Sequence, residues 1–135
     1  MIAIDTNALV RYLAQDDARQ SAQANRVMEW FTARSPGFIS ILTLAETAWV
    51  LRDIYGRSRT DIADMIEAVL SSEGLNVQMT ELVWRSLQDF ASGRADLADH
   101  LIERLGAAAG CEWTYSFDKS AIRDAGMRPV PPMAS

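Results

Sequence analysis

Apolar residues recur along this chain in two rhythms. Leu9, Tyr12 and Leu13 carry helical spacing over 6–14, and Val27, Trp30 and Phe31 share a face of a longer stretch at 17–34. Leu44, Ala48, Leu51 and Ile54 mark a third helix over 43–55. Ile62, Met65, Ile66, Val69 and Leu70 give a strongly amphipathic fourth over 60–72. Further helical stretches span 79–91 and 97–109, parted by Gly93, and a short one covers 119–125. Between them lie short apolar runs of strand character: Ile2 to Ile4, read as buried, then 38–40 (FIS), 75–77 (LNV) and Cys111 to Tyr115. The breaker SPG at 35–37, Gly56 and a turn at Asp118 separate the elements. This alternation predicts an α/β fold with a small, mostly parallel central sheet of short strands flanked by helices. No repeat or linker interrupts it, so 1–135 reads as one domain. The three-proline segment 128–135 is expected to be a surface tail.

Composition narrows the chemistry. With 49% hydrophobic and 23% charged residues, the chain reads as globular rather than disordered. It has no apolar run of the roughly 18–20 residues that cross a bilayer and no secretory leader, so the cytoplasm is the expected compartment and no membrane partner is expected. One cysteine, Cys111, and one histidine, His100, disfavour a Cys/His zinc site. Any metal would be held by oxygen, which points to Mg²⁺ or Mn²⁺. A net charge of −5 argues against a protein that coats nucleic acid, while leaving room for local phosphate contacts. Those contacts would fall to arginine, because Lys119 is the only lysine.

Four acids stand out by position: Asp5 after the first strand, Glu46 early in the third helix, Asp99 in the first turn of a later helix, and Asp118 after the last strand. Asp96 precedes Asp99 by three residues. Each has an ordinary explanation as a cap. Asp5 and Asp118 can cap the helices that follow, Thr43 to Glu46 fits a capping box, and Asp96 with Asp99 fits another. Capping alone does not demand carboxylates at every one of these sites. In open α/β sheets the carboxyl ends of the strands and the following helix starts share one edge, where ligands bind. Acids converging there would repel one another, and a divalent cation would reverse that penalty. Such an ion lowers the pKa of water and neutralises charge on a scissile phosphate. No phosphate-binding glycine loop is present, and acyl transfer lacks a serine–histidine–aspartate set.

The residues IDTNALVRYL, LAETAWVL, DLADHLI and CEWTYSFDKSA, in this order from Met1 to about Gly126, resemble the four motifs of the PIN domain, and within it the VapC-type toxins. Leu97 stands where the family often has phenylalanine. The resemblance implies a Rossmann-like three-layer fold and an endoribonuclease that uses Mg²⁺ or Mn²⁺ on RNA, often tRNA or rRNA. It implies Asp5, Glu46, Asp99 and Asp118 as the catalytic, metal-holding cluster. Thr6, Asn7, Asp96 and Ser116 would support them. It further implies a homodimer and a small VapB-type antitoxin, with DNA engaged only through that antitoxin.

Other residues carry less. His100 is expected at the surface or site rim. Trp30, Trp49, Trp84 and Trp113 are expected in the core or a dimer interface, with RNA stacking as the alternative. Arg11, Arg85 and Arg94 read as solvated or phosphate-contacting, and Cys111 as a small buried residue. Two rivals remain. A catalytically silent PIN-fold binding module is disfavoured by the full acid set. A phosphorylation-receiver domain is disfavoured because Asp53 lies in a helical pattern and Lys119 directly follows Asp118.

Overall fold

The computed structural model of the protein describes residues 1–134. Its first sheet is parallel and ordered β1 (Ile2–Ala3), β2 (Gly37–Ile39), β3 (Leu75–Val77). Ile2 faces Gly37 in register, and Gly37 faces Leu75. The centre of this sheet admits no side chain at Gly37, where a Cβ would sit 2.4 Å from the Phe31 ring. A second parallel pair joins β4 (Tyr115–Ser116) to β5 (Arg128–Pro129).

That pair corrects the expectation of a loose tail from 128. Arg128 donates its N–H to the Thr114 carbonyl at 2.9 Å, and Val130 donates to Ser116 at 3.2 Å. Only alternate residues of a strand face a given neighbour, so the N–H that Pro129 lacks costs this ladder nothing. The first strand also differs from expectation. It forms, but as the sheet's edge, and Ile2 remains 67% exposed rather than buried. The strand expected over Cys111 to Tyr115 is confined to Tyr115–Ser116, and Cys111 is exposed in the turn after a helix.

Around the sheets pack α1 (Thr6–Ala14), α2 (Ala18–Trp30), α3 (Ile41–Asp53), α4 (Arg59–Ser71), α5 (Thr80–Ser92), α6 (Leu97–Ala108) and α7 (Lys119–Asp124). The helix starts follow from capping side chains: Asp5, Asp17, Ser40, Ser58 and Asp118 each accept a backbone N–H of the first turn. Ser40 accepts from Thr43 at 3.1 Å, so α3 begins at Ile41. Thr43 and Glu46 therefore lie inside the helix and form no capping box.

The main core draws Leu9, Ile39, Leu44, Leu51, Ile62, Ile66, Val83, Leu97 and Leu101 almost wholly out of water. A small satellite holds Ala95, Ala121, Ala125 and Met127 under β4, α7 and β5. The tryptophans depart from their expected place. Trp84 packs against the core, but Trp30 and Trp49 are 66% and 53% exposed. On α3 the apolar stripe is filled by Leu44, Ala48 and Leu51, and Trp49 is one residue, about 100°, off that stripe. No described helix is long and apolar enough to cross a membrane.

Candidate active site

The acids assemble as two groups. In the first, Ile4 donates its N–H to the Phe38 carbonyl at 3.2 Å, fixing the end of β1 against β2. The next residue, Asp5, caps α1 by accepting the Ala8 N–H on Oδ1 at 2.9 Å. Thr6 then reaches across to α3, its Oγ1 donating to Glu46 Oε1 at 3.0 Å. The end of β1 is thereby tied to an acid forty residues away. Asn7 points elsewhere: it lines a groove between α1 and α2 with Ile4, Arg11 and Met28.

The second group lies at the start of α6. Asp96 is its N-cap, and Asp99 Oδ2 accepts the Asp96 N–H at 3.2 Å, so the expected capping box is present here. Asp118 caps α7 through the Ala121 N–H at 3.0 Å, and its own N–H donates to Ser116 Oγ at 2.9 Å. Partial burial pushes the Asp99 carboxyl above the usual carboxylate range, and the negative charges of Asp96 and Asp118 push it further. Asp96 also meets Arg52 of α3, which pairs with Asp53 at 2.9 Å as well. Those two carboxylates, Asp53 first, hold the Arg52 guanidinium firmly in its charged form.

Capping and ligation need not compete at these sites. The cap of Asp5 engages Oδ1, and that of Asp118 engages Oδ1. Among the described residues, no three His, Cys, Asp or Glu side chains are gathered tightly enough to enclose a metal ion. The donor chemistry nonetheless fits a hard cation. Every candidate is a carboxylate, Asp5, Glu46 and Asp118 are open to solvent, and Mg²⁺ keeps several waters while resting on one or two carboxylates and a substrate phosphate.

Residues that spacing did not single out hold the second group in place. Arg59, opening α4, donates to three carbonyl oxygens: Ala95 at 2.8 Å, Phe90 at 2.9 Å and Arg94 at 2.9 Å. Its guanidinium also lies 4.4 Å from the centre of the Phe90 ring. Asp124 of α7 accepts the Arg94 N–H at 2.7 Å. The link that delivers Asp96 and Asp99 is therefore pinned from both sides. Partners thirty or more residues apart leave no periodic signature that could have revealed this.

His100 corrects the expectation of a rim histidine. It is 2% exposed, and its Nε2 has no hydrogen-bond partner among the described residues. Burial holds its pKa below the usual histidine value. The signal was present in the sequence, since Leu97, His100 and Leu101 share the i, i+3, i+4 face of α6. Arg11 is committed to Asp16 at 3.1 Å, Gln20 and Tyr55, so it does not await a phosphate.

A parallel α/β domain with carboxylates at strand ends and helix starts belongs to the class that binds ligands along one sheet edge. The sequence profile of the PIN domain matches residues 2–126, and the chain belongs to that family, whose members are in general nucleases. Neither the curated proteins nor the solved structures yield a significant match to the chain.

Proposed function

We propose that the chain is a divalent-metal-dependent endoribonuclease, the toxin of a VapC-type toxin–antitoxin pair, with Asp5, Glu46, Asp99 and Asp118 as its working carboxylates. One observation carries the reading: Thr6, next to Asp5, donates to Glu46 Oε1 at 3.0 Å, which brings an acid of α3, forty residues away, to the end of β1. A cap requires no such juxtaposition. When bound, Mg²⁺ or Mn²⁺ supplies charge neutralisation at the scissile phosphate and acidifies a water. Asp5 and Asp99 would hold it most directly, with Glu46 and Asp118 acting through water.

The surrounding residues have definite tasks in this reading. Thr6 fixes one rotamer of Glu46 by its hydrogen bond. Ser116 orients the Asp118 backbone, and so the carboxylate, toward the shared edge. Asp96 caps α6 and presents Asp99, while Arg52 partly offsets its charge. Asn7 supports the first turn of α1. The partners that go with this reading are an RNA such as tRNA or rRNA, a second copy in a homodimer, and a small VapB-type antitoxin in the cytoplasm. An antitoxin arginine would suit the acidic edge.

The test is RNA cleavage by the purified chain with Mg²⁺ or Mn²⁺, against EDTA and against Asp5→Asn. Sequencing RNA ends after expression in cells would name the target. Asparagine caps nearly as well as aspartate, so Asp5→Asn separates the two roles. Normal metal-dependent cleavage by that variant would sink the metal-site reading.

A further inference from the structure

The segment leading into Asp118 carries three large, exposed aromatic rings. Trp113, Tyr115 and Phe117 recur at every second residue, the spacing that sends side chains to one face of extended chain. They are 37%, 51% and 85% exposed. Thr114, between the first two, faces α6. A Cβ on Gly106 of α6 would lie 3.0 Å from Thr114 Oγ1, and Ser116 Oγ accepts the Asp118 N–H. The inner face is thus anchored and the outer face is a ladder of rings. Trp113 and Tyr115 meet edge to face, with centroids 6.2 Å apart at 72°. From β5, the Arg128 guanidinium lies 4.2 Å from the centre of the Trp113 ring.

We propose that Trp113, Tyr115 and Phe117, with Arg128, form a stacking platform for single-stranded RNA beside the carboxylates. This deepens, and rests on, the ribonuclease reading of the site. Rings on alternate strand residues repeat at about 6.7 Å, roughly twice the 3.4 Å rise of stacked bases. Tyr115 and Phe117 each offer a face to a base that has left its neighbours, which a single strand or loop offers and a duplex does not, while Trp113, edge-on to Tyr115 and with Arg128 over its ring, backs them. Phe117 directly precedes Asp118, so a strand laid along the ladder runs into the acidic edge. A second copy seated permanently on Phe117 would also cover Asp118 and close the site to substrate. The chain is net −5, so phosphate attraction has to be local, and Arg128 and Lys119 flank the rings to supply it against Glu112 and Asp118.

The experiment is binding of a labelled oligoadenylate of about 12 nucleotides to the full chain in EDTA, read by fluorescence anisotropy. Phe117→Ala and Tyr115→Ala are each expected to weaken binding about ten-fold with unchanged circular dichroism and melting. Phe117→Trp should retain affinity, as should Ile102→Ala, which removes an exposed side chain on α6. Unchanged affinity in both ring-to-alanine variants overturns the platform, as does equal loss for a duplex RNA. A shift from dimer to monomer in Phe117→Ala, at unaltered RNA affinity, assigns the face to a second copy and also overturns it. Cleavage is measured separately with Mg²⁺ or Mn²⁺. If ring-dependent binding holds while the unsubstituted chain cleaves no RNA, the platform stands and the nuclease reading falls.

Discussion

The candidate acids stand on very different foundations: Asp99 starts a helix that Leu97 and Leu101 root in the main core, and Asp118 does not. Asp5, Thr6 and Glu46 are carried by elements rooted in the main core, where Leu9, Leu44 and Leu51 have no exposed surface. Asp118 stands on β4, α7 and β5, whose packing is the satellite of Ala95, Ala121, Ala125 and Met127. Three of those four side chains are a single methyl group, and buried apolar area sets the scale of stabilisation. The Asp118 unit is accordingly held by Met127 and by polar ties such as Asp124 to Arg94. Asp5, Glu46 and Asp99 are built into the protein, and Asp118 is fastened onto it. A site made this way keeps a fixed floor and a wall that opens at low cost.

The largest expected effect tests whether both parts are needed. Asp5→Asn and Asp118→Asn should each lower RNA cleavage by on the order of a thousandfold, read as initial rate at saturating metal. If only the first does so, the fastened acid is dispensable. Next comes stability. Leu44→Ala should cost about 3 kcal/mol and shift the whole denaturant transition. Met127→Ala should leave that midpoint nearly in place and instead speed hydrogen exchange in β4, α7 and β5. A global shift from Met127→Ala would show that the two cores unfold as one.

A smaller effect is expected from Arg59→Lys. Lysine carries three donors on one compact nitrogen and cannot reproduce the fork whose two terminal nitrogens span these carbonyls, so about 1–2 kcal/mol should be lost. Raised exchange at 93–96 and a weaker metal dependence of cleavage would show that the loss is felt at Asp99. The smallest effects are in pH. Burial lowers the folded pKa of His100, so the unfolded chain takes up its proton first. Stability should fall as pH drops through about 6.5 and level off below the folded value. His100→Leu should remove that slope and, by deleting an unpartnered nitrogen, be neutral or stabilising by about 1 kcal/mol. Asp99 works in the opposite sense. Its folded pKa is raised, so it penalises the metal-free fold above that value, and the penalty is relieved as pH falls toward the ordinary aspartate range. Asp99→Asn should flatten this dependence in calorimetry with EDTA.

The same contrast explains what the chain disclosed as text. Helices rooted in the main core announced themselves, because Ile62, Ile66, Val69 and Leu70 must repeat at 3.6 residues to face it. The parallel strands were visible at 75–77 and nearly so at 38–40, where apolar runs are cut by turns. Asp5, Asp99 and Asp118 stand out in the sequence because caps and ligands share one address, the start of a helix, and the structure shows Asp5 and Asp118 as caps. The fastened part was harder. A strand of Arg128–Pro129 looks like a tail, since proline usually bars a ladder and only its register excuses it here. Arg59 was invisible because its partners are carbonyls, which every residue has. His100 was misread although its spacing pointed inward, because charge-bearing identity outweighed periodicity. The helix start at Ile41 was missed because Ser40 and Thr43 are both good caps, and only the hydrogen bond decides between them.

The grip of Arg59 on main-chain oxygens has a consequence for how the sequence can drift. A contact made to a carbonyl is blind to the side chain attached to it. Position 94 can therefore exchange its residue, proline apart, while the path of the chain into α6 stays the same, whereas a change at position 59 loosens that path. Saturation mutagenesis scored by growth or by binding should show a tolerant Arg94 beside an intolerant Arg59, one residue free to vary because another, far off in the chain, is not.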